Sequence, residues 1–410
     1  YQQVIPSYFS TDSEGNDRQE FLQPFFSSTE SLCNAIFLKG YQWPFDVNKI
    51  LDEGSSLIDI LVYRERVLLG RRVYMDFRVN PQAVSGSAPF SLMGAGEVAY
   101  SYLEKSGALG ETPYERLKQM NPQAIELYRS NGIDLANEPL EVAVCSQHNN
   151  GGLSVDIWWE STNISHLFPV GEVAGTHGVV RPGGSALNSG QVGGERAAQK
   201  IAGVYQEHTV EWETFMAVAK SQASKLYALA KAAIKKESLS DEDLSLVAYQ
   251  KEFRSRMSRS GSMIRSTERI ADELIAAQEQ VAAFEQVRIK TRYSLPRFFA
   301  ARHLALTHLV YLEAIAEYLK QAFGSRGSAL ILQEDGKAIH PKLDSFWRFT
   351  PENTEGRAES ITTIYQGGES MHGRVACRPI PDEEYWFETV WRDFLAGKHF
   401  NDYGEKAQKS

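Results

Sequence analysis

Between Cys145 and Ile201 the chain places ten of its 31 glycines. Glycine at that density marks backbone that must turn through positive φ or pass very close to another element or a ligand. Three parts can be read. Gln147-His148-Asn149-Asn150-Gly151-Gly152 is a turn cluster, and Ser154–Trp159 after it reads as a short strand. His166–Gly175 is an apolar run that reads as a buried strand passing through Gly171-Glu172 into a loop. From His177 a glycine-rich loop opens a helix expected over about 186–202. A helix beginning under such a loop offers unpaired N–H groups and the positive end of its dipole. That favours an anion or an electron-rich ring at its start. Tight strand–helix packing with no ligand would use the same glycines.

Composition narrows the classes. A chain of 410 residues is long enough for two to four domains and a sizeable core. A net charge of −9 leaves no global basic field to attract nucleic acid. No run of 18 apolar residues exists, so no membrane span is expected. The three cysteines (Cys33, Cys145, Cys377) are scattered without a paired motif. This argues against disulfides and against zinc or iron–sulfur ligation, and points to the cytoplasm.

Along the chain, a helix is expected from near Ser28 and another over 55–67 with Ser55 or Ser56 as N-cap, closed by Gly70. A strand follows over 73–81. Gly94, Gly96 and Ala99 satisfy a Gly-x-Gly-x-x-Ala pattern, but no apolar strand precedes them. They read as a loop capping a helix from about Glu97 to Lys105 rather than as a dinucleotide fingerprint. Tyr114–Asn131 reads as two helical pieces broken at Asn121-Pro122 and ended by Gly132. Leu140–Val144 returns as a strand. From Val204 to Phe323 apolar residues recur at three and four, with Gly261 the one glycine. Three long helices are expected, about 207–236, 241–288 and 296–323, packed as an antiparallel bundle. The tail is short strands plus one amphipathic helix with Trp386, Val390, Trp391 and Phe394 on a face, expected to dock on its parent domain.

The glycine-crowded stretch resembles the C-terminal return of the FAD-binding domain in the fumarate reductase, succinate dehydrogenase and L-aspartate oxidase flavoprotein family. Five submotifs carry the resemblance, in order: Gly151-Gly152, Val155-Asp156, His166 to Glu172, His177 to Gly183, and Gly194 to Ala198. Gly70, Val73, Tyr74 and Asp76 resemble the strand of the family's capping domain. Arg259–Arg265 and Gly324-Ser325-Arg326-Gly327 resemble marks of its helical domain. One departure matters. Asp59 falls on a family Asp, but Ile58 stands where the fumarate reductases carry the proton-delivering Arg, and Ile cannot donate a proton.

The resemblance implies an α+β chain: a partial FAD-binding α/β domain and a capping domain, then an α-helical three-helix bundle. The expected segments are 1–35 (remnant of the FAD-binding domain), 36–140 (capping and substrate domain), 141–206 (FAD-domain return), 207–325 (helical bundle) and 326–410 (C-terminal extension). FAD is the implied cofactor. Gly171, Glu172, Gly183, Gly184, Ser185, Ala186 and Leu187 are its expected contacts, and His177 and Arg181 the expected substrate contacts. Arg181, His148 and Gln147 are the catalytic candidates. Gln147 stands at the family's turn histidine and His148 one residue later. The glycine fingerprint that holds the adenosine diphosphate half of FAD lies N-terminal to everything matched. It is expected in a missing N-terminal half, on the same polypeptide or on a separate chain. The start at Tyr1 is thus an artificial boundary, a proteolytic cut or a natural split.

The function implied is a flavin-dependent dehydrogenase or oxidase acting on a small anionic, carboxylated substrate, with chemistry other than fumarate reduction. Two alternatives stand beside it: the flavoprotein subunit of an electron-transfer complex with an iron–sulfur partner, and a non-catalytic scaffold.

Overall fold

The computed structural model describes residues 1–398 apart from 43, 147–150, 178–183, 206–209, 235–243, 378–381 and 383. In chain order the elements are β1 (Ser7–Thr11), α1 (Thr29–Tyr41), α2 (Leu57–Tyr63), β2 (Arg72–Asp76), α3 (Glu97–Lys105), α4 (Pro113–Met120), α5 (Pro122–Ser130) and β3 (Leu140–Val142). Then come α6 (Ser185–Val204), α7 (Trp212–Ala233), α8 (Leu244–Arg256), β4 (Ile264–Arg265), α9 (Thr267–Ala282) and α10 (Leu295–Lys320). The chain closes with β5 (Leu330–Ala338), β6 (Arg348–Phe349), β7 (Glu359–Gln366), β8 (Glu369–Ala376) and α11 (Trp386–Leu395). Contacts divide it into two units: 1–149, 248–281 and 304–353; and 150–247, 282–303 and 354–410.

The first unit is organised by an antiparallel sheet in the order β1-β2-β3, with Phe9 opposite Tyr74 and Tyr74 opposite Glu141. Its core draws Leu32, Ile36 and Phe37 from α1, Leu57, Ile60 and Leu61 from α2, and Val73 from β2. α1 starts at Ser28, whose hydroxyl accepts from the Ser31 amide while Ser31 returns the bond, a reciprocal cap. Asn121 ends α4 and caps α5, its side chain accepting from the Ala124 amide. α3 spans the expected residues, entered through Gly96 at φ +99. That angle explains the glycine, and no dinucleotide turn is needed.

Charge is buried here too. Lys39 of α1 meets Asp59 of α2 at 2.7 Å, and burial pushes the Asp59 pKa up against the pull of that lysine. Arg116 of α4 is fully buried. It donates to the Val4, Gly110 and Glu111 carbonyls and to Asn80 Oδ1 at 2.7–3.1 Å. Those bonds tie the N-terminal turn, the loop before α4 and the strand exit into one piece.

Two expectations need correcting in this unit. The helix over 55–67 stops at Tyr63 and passes into a π turn, Arg64–Leu68. Ser56 precedes the helix without capping it, because its hydroxyl accepts from the Asp46 amide instead. The helix expected over 241–288 is two helices, α8 and α9, parted by a π turn at Met257–Gly261 and the strand β4. β4 pairs in parallel with β5, and the Leu330 amide donates to the Met263 carbonyl at 2.7 Å. A remote strand thus takes the backbone partners that a continuous helix would have used. Among the described residues, four helices therefore stand where three were expected between 207 and 323. α8 and α9 are held together by Arg256, which donates to Glu273 and Gln280.

The second unit holds the glycine-rich stretch, α6, α7, the β7–β8 hairpin and α11. The run Ser154–Trp159 is not a strand. Val155 forms a single bridge to Ser161, and Asp156 Oδ1 accepts from the Trp158 and Glu160 amides, closing a turn. The run 166–170 is not a strand: His166 sits in a turn at φ +65, and Val170 leads in extended backbone into a tight turn at Gly171–Ala174. α7 is anchored at its C-terminal end, where the Ile289 amide donates to the Ala233 carbonyl at 3.0 Å. α11 buries none of its residues, so the expected docking of its aromatic face is not seen among the described residues.

Candidate functional site

Every expected cofactor contact except Gly183 lies among the described residues of the second unit; Gly183, with the catalytic candidates Gln147, His148 and Arg181, lies outside them. The glycines explain the local geometry. A Cβ on Gly152 would lie 2.3 Å from the Val173 carbonyl oxygen and 2.4 Å from the Gly175 nitrogen. One on Gly175, which sits at φ +67, would lie 2.6 Å from Gly151 and Gly152 backbone atoms. The Gly151-Gly152 turn and the Gly171–Gly175 turn are thus pressed backbone to backbone, sealed by a bond from the Leu153 amide to the Val173 carbonyl at 2.8 Å. These two submotifs, well separated in sequence, meet because neither has side chains at the contact.

α6 rises from the next part of this cradle. A Cβ on Gly171, which sits at φ +82, would lie 3.7 Å from the Cα of Gly190 on α6. Thr176 Oγ1 meets Ser189 Oγ at 3.2 Å. The helix begins one residue before the expected start and carries no side-chain cap and no acidic residue in its first turn. No acidic residue of the helix itself lies in its first turn to offset the positive dipole end. Leu187 and Glu172 are exposed. His177 is half-buried, and both of its ring nitrogens are buried without a hydrogen-bond partner among the described residues. A buried imidazole without partners carries an uncompensated desolvation cost.

A second layer holds α6 in place, and sequence reasoning missed it. Lys200 of α6 reaches Asp156 at 2.8 Å and Glu160 at 2.5 Å. Glu160 also accepts from the His166 amide at 2.7 Å and from the Tyr205 hydroxyl. Burial works against the Glu160 carboxylate, but the bonds from Lys200, Tyr205 and the His166 amide prevail and hold its pKa below the usual range. Burial and Glu160 push Tyr205 up to about 12. The Arg196 guanidinium lies 4.5 Å from the Trp158 ring and donates to the Ile157 carbonyl. A Cβ on Gly193 would lie 2.7 Å from the Trp159 indole, so the ring packs on bare helix backbone. Asp156 and Glu160, one helical turn's spacing apart around two tryptophans, were a signal for a side-chain knot, but their partner Lys200 lies far on in the sequence.

Elsewhere, an open groove over the outer face of the β1–β2–β3 sheet is lined by Phe9, Arg72, Tyr74 and Leu140. It contains none of the expected site residues. Ile58 is buried in the core of its own unit. No cluster of metal-ligating side chains exists among the described residues, and no helix among them is long and apolar enough to cross a membrane.

No family model matches the chain. It is 40% identical over 102 residues to the A chain of the CoM/CoB fumarate reductase of Methanothermobacter marburgensis, covering 25% of this chain and 18% of that protein. It is 28% identical over 171 residues to L-aspartate oxidase of Streptomyces coelicolor, covering 41% of this chain and 28% of that protein. The relatives of this chain are flavoproteins of the fumarate reductase and L-aspartate oxidase kind. An uncharacterized FAD-dependent oxidoreductase of Methanocaldococcus jannaschii matches at 36% identity over 108 residues. In three dimensions the chain resembles an E. coli quinol fumarate reductase structure with a TM-score of 0.52 and 17% identity. That likeness covers 94% of this chain and 57% of the other, and shows the shared fold. The matched stretches span between 18% and 28% of those curated relatives' lengths.

Proposed function

We propose that this chain is the substrate-facing part of an FAD-dependent oxidoreductase that acts on a small carboxylated anion. The observation that carries the reading is the cradle of Gly151-Gly152, Gly171–Gly175 and the uncapped start of α6, with the unpartnered His177 ring beside it in sequence. These features suit a flat, electron-rich cofactor. Backbone N–H groups at Ser185, Ala186 and Leu187 would face it, Gly171 and Gly184 would let it approach, and Glu172 would accept one of its hydrogen bonds. FAD would supply hydride transfer; the protein orients the substrate and stabilises negative charge at the helix start.

Arg181 would hold the substrate carboxylate through two parallel hydrogen bonds, with His177 steadying it. Gln147 or His148 would complete the substrate side. Ile58 leaves the fumarate reductases' proton donor without a counterpart, which supports a reaction other than fumarate reduction. The return segment 141–206 would complete an FAD-binding domain together with an adenosine-binding half that these residues do not supply. The test is the visible spectrum of the full-length protein and of an Arg181→Ala variant. Both should show flavin bands, and the variant should lose roughly tenfold or more in affinity for a dicarboxylate ligand. Colourless full-length protein would sink the cofactor assignment; unchanged affinity would sink that of Arg181.

A second reading rests on one observation: the relative from M. marburgensis is named as one subunit of its enzyme. On that reading, the chain passes electrons to an iron–sulfur partner. Co-purification of a cysteine-rich small chain would favour this over a free-standing oxidase.

A further inference from the structure

α7 is unlike the other long helices. It runs 22 residues, about 33 Å. From Glu211 to Ala228 its residues are exposed except for half-buried Ala219. Yet it is not polar. Trp212 is 68% exposed and Tyr227 is 70% exposed, with Phe215, Met216 and Leu226 also open to solvent. Six of its apolar residues, Trp212, Met216, Ala219, Ala223, Leu226 and Ala230, follow a spacing of four and three, Ala219 and Ala230 among them half-buried, while Phe215, Val218 and Tyr227 flank that row. That is the seam of a helix built to lie along another helix. The small residues at its centre permit close approach, and the large ones lie toward its ends.

The seam is also palindromic about Ser221. Reversed on a second copy, Trp212 falls opposite Ala230, Met216 opposite Leu226, and Ala219 opposite Ala223. Each pairing sets large against small, similar against similar, or small against small. The positions flanking the seam on one side keep the symmetry, Phe215 falling opposite Leu229 and Gln222 opposite itself. We propose that two copies of this chain associate through antiparallel α7 helices around a two-fold axis at the level of Ser221. A self-complementary patch of this kind is what a two-fold interface requires. The rings of Trp212, Phe215 and Tyr227 from both copies, more than half exposed before pairing, would supply roughly 600 Å² of buried area. Met216 and Leu226 from each copy carry the total toward the roughly 1,000 Å² of a specific interface. One contact opposes the pairing: Lys220, on the other flank, lies beside its own symmetry mate. Association therefore tightens as salt is raised from about 0.05 to about 0.5 M.

The pairing makes a register-specific prediction independent of the cofactor. With exposed Cys145 and Cys377 replaced by Ser, Ala219→Cys protein mixed with Ala223→Cys protein should form a disulfide-linked dimer on mild oxidation. Either variant alone should remain largely uncrosslinked. Met216→Lys with Leu226→Lys should weaken association roughly tenfold or more by light scattering, since a buried charge without a partner is costly, while leaving helical content by circular dichroism unchanged. A monomeric full-length chain at micromolar concentration overturns the proposal and makes α7 the seat of a different partner. A dimer indifferent to the lysine pair, or cross-linking of each cysteine variant with itself, overturns it as well.

Discussion

The two units keep their apolar residues in opposite ways. The first closes a large core around β1–β3 and the helices packed on it, and it buries even its charges, with Lys39 on Asp59 and Arg116 on four backbone and amide oxygens. The second has few buried apolar side chains and is held by contacts of other kinds: glycine backbone on backbone, Trp159 on Gly193, and the Lys200–Asp156–Glu160–Tyr205 knot. Most of its large apolar residues on α7 and α11 are exposed, Leu229 and Phe394 being half-buried. A core that is closed reports stability, whereas a unit fixed by bare backbone and polar knots keeps faces available for a ligand or another chain.

The largest expected effect tests the closed core. Arg116→Ala should lose about 3–5 kcal/mol, because it strands several buried acceptors at once. Denaturant titration followed by fluorescence checks it, and a loss below about 1 kcal/mol would mean those acceptors are hydrated. The next effect is set by pH. His308 of α10 is buried in the same unit, both ring nitrogens lack a hydrogen-bond partner among the described residues, and burial with Arg256 nearby lowers its pKa to about 4. A base whose folded pKa is depressed contributes full stability above its ordinary value near 6.5. That contribution declines as pH falls toward 4, by up to about 3 kcal/mol. Unfolding measured across that window should lose this slope in His308→Leu; an unchanged slope assigns it to another group.

Smaller effects probe the open unit. Gly193→Ala should cost about 1–3 kcal/mol, since its new methyl would overlap the Trp159 ring, and Trp159→Leu should relieve part of the loss. Near-ultraviolet circular dichroism reads the displaced indole; no change there would show that α6 yields freely. Smallest of all, Trp391→Ala on α11 should shift stability by less than about 0.5 kcal/mol, as befits an uncovered side chain. A loss above about 2 kcal/mol would reveal that the face is covered after all.

Much of the local structure was legible in the residues. The bounds of α3, the break at Asn121-Pro122 and the start of α6 near Ser185 follow from caps, proline and glycine, whose preferences act over a few residues. Turns were harder. Ser154–Trp159 has strand composition, but Asp156 offers its own backbone a competing set of bonds, and that local competition was not weighed. At the candidate site, the close backbone approach at Gly152 and Gly175 was readable from the glycines themselves. The knot beneath α6 was not, since Lys200 and Glu160 mean nothing to each other until the chain has folded back.

By itself the sequence determined where backbone must bend or lie bare, because that depends on one residue's own side chain or lack of one. It also determined the four-three apolar rhythm of α7. Only the tertiary structure decided that α8 and α9 are separate helices, that Arg116 and Lys39 are buried, and that α7 stays uncovered among the described residues. Each of these turns on a partner distant in sequence, or on the lack of one, and hydrogen-bond and burial energies belong to pairs of groups rather than to single residues.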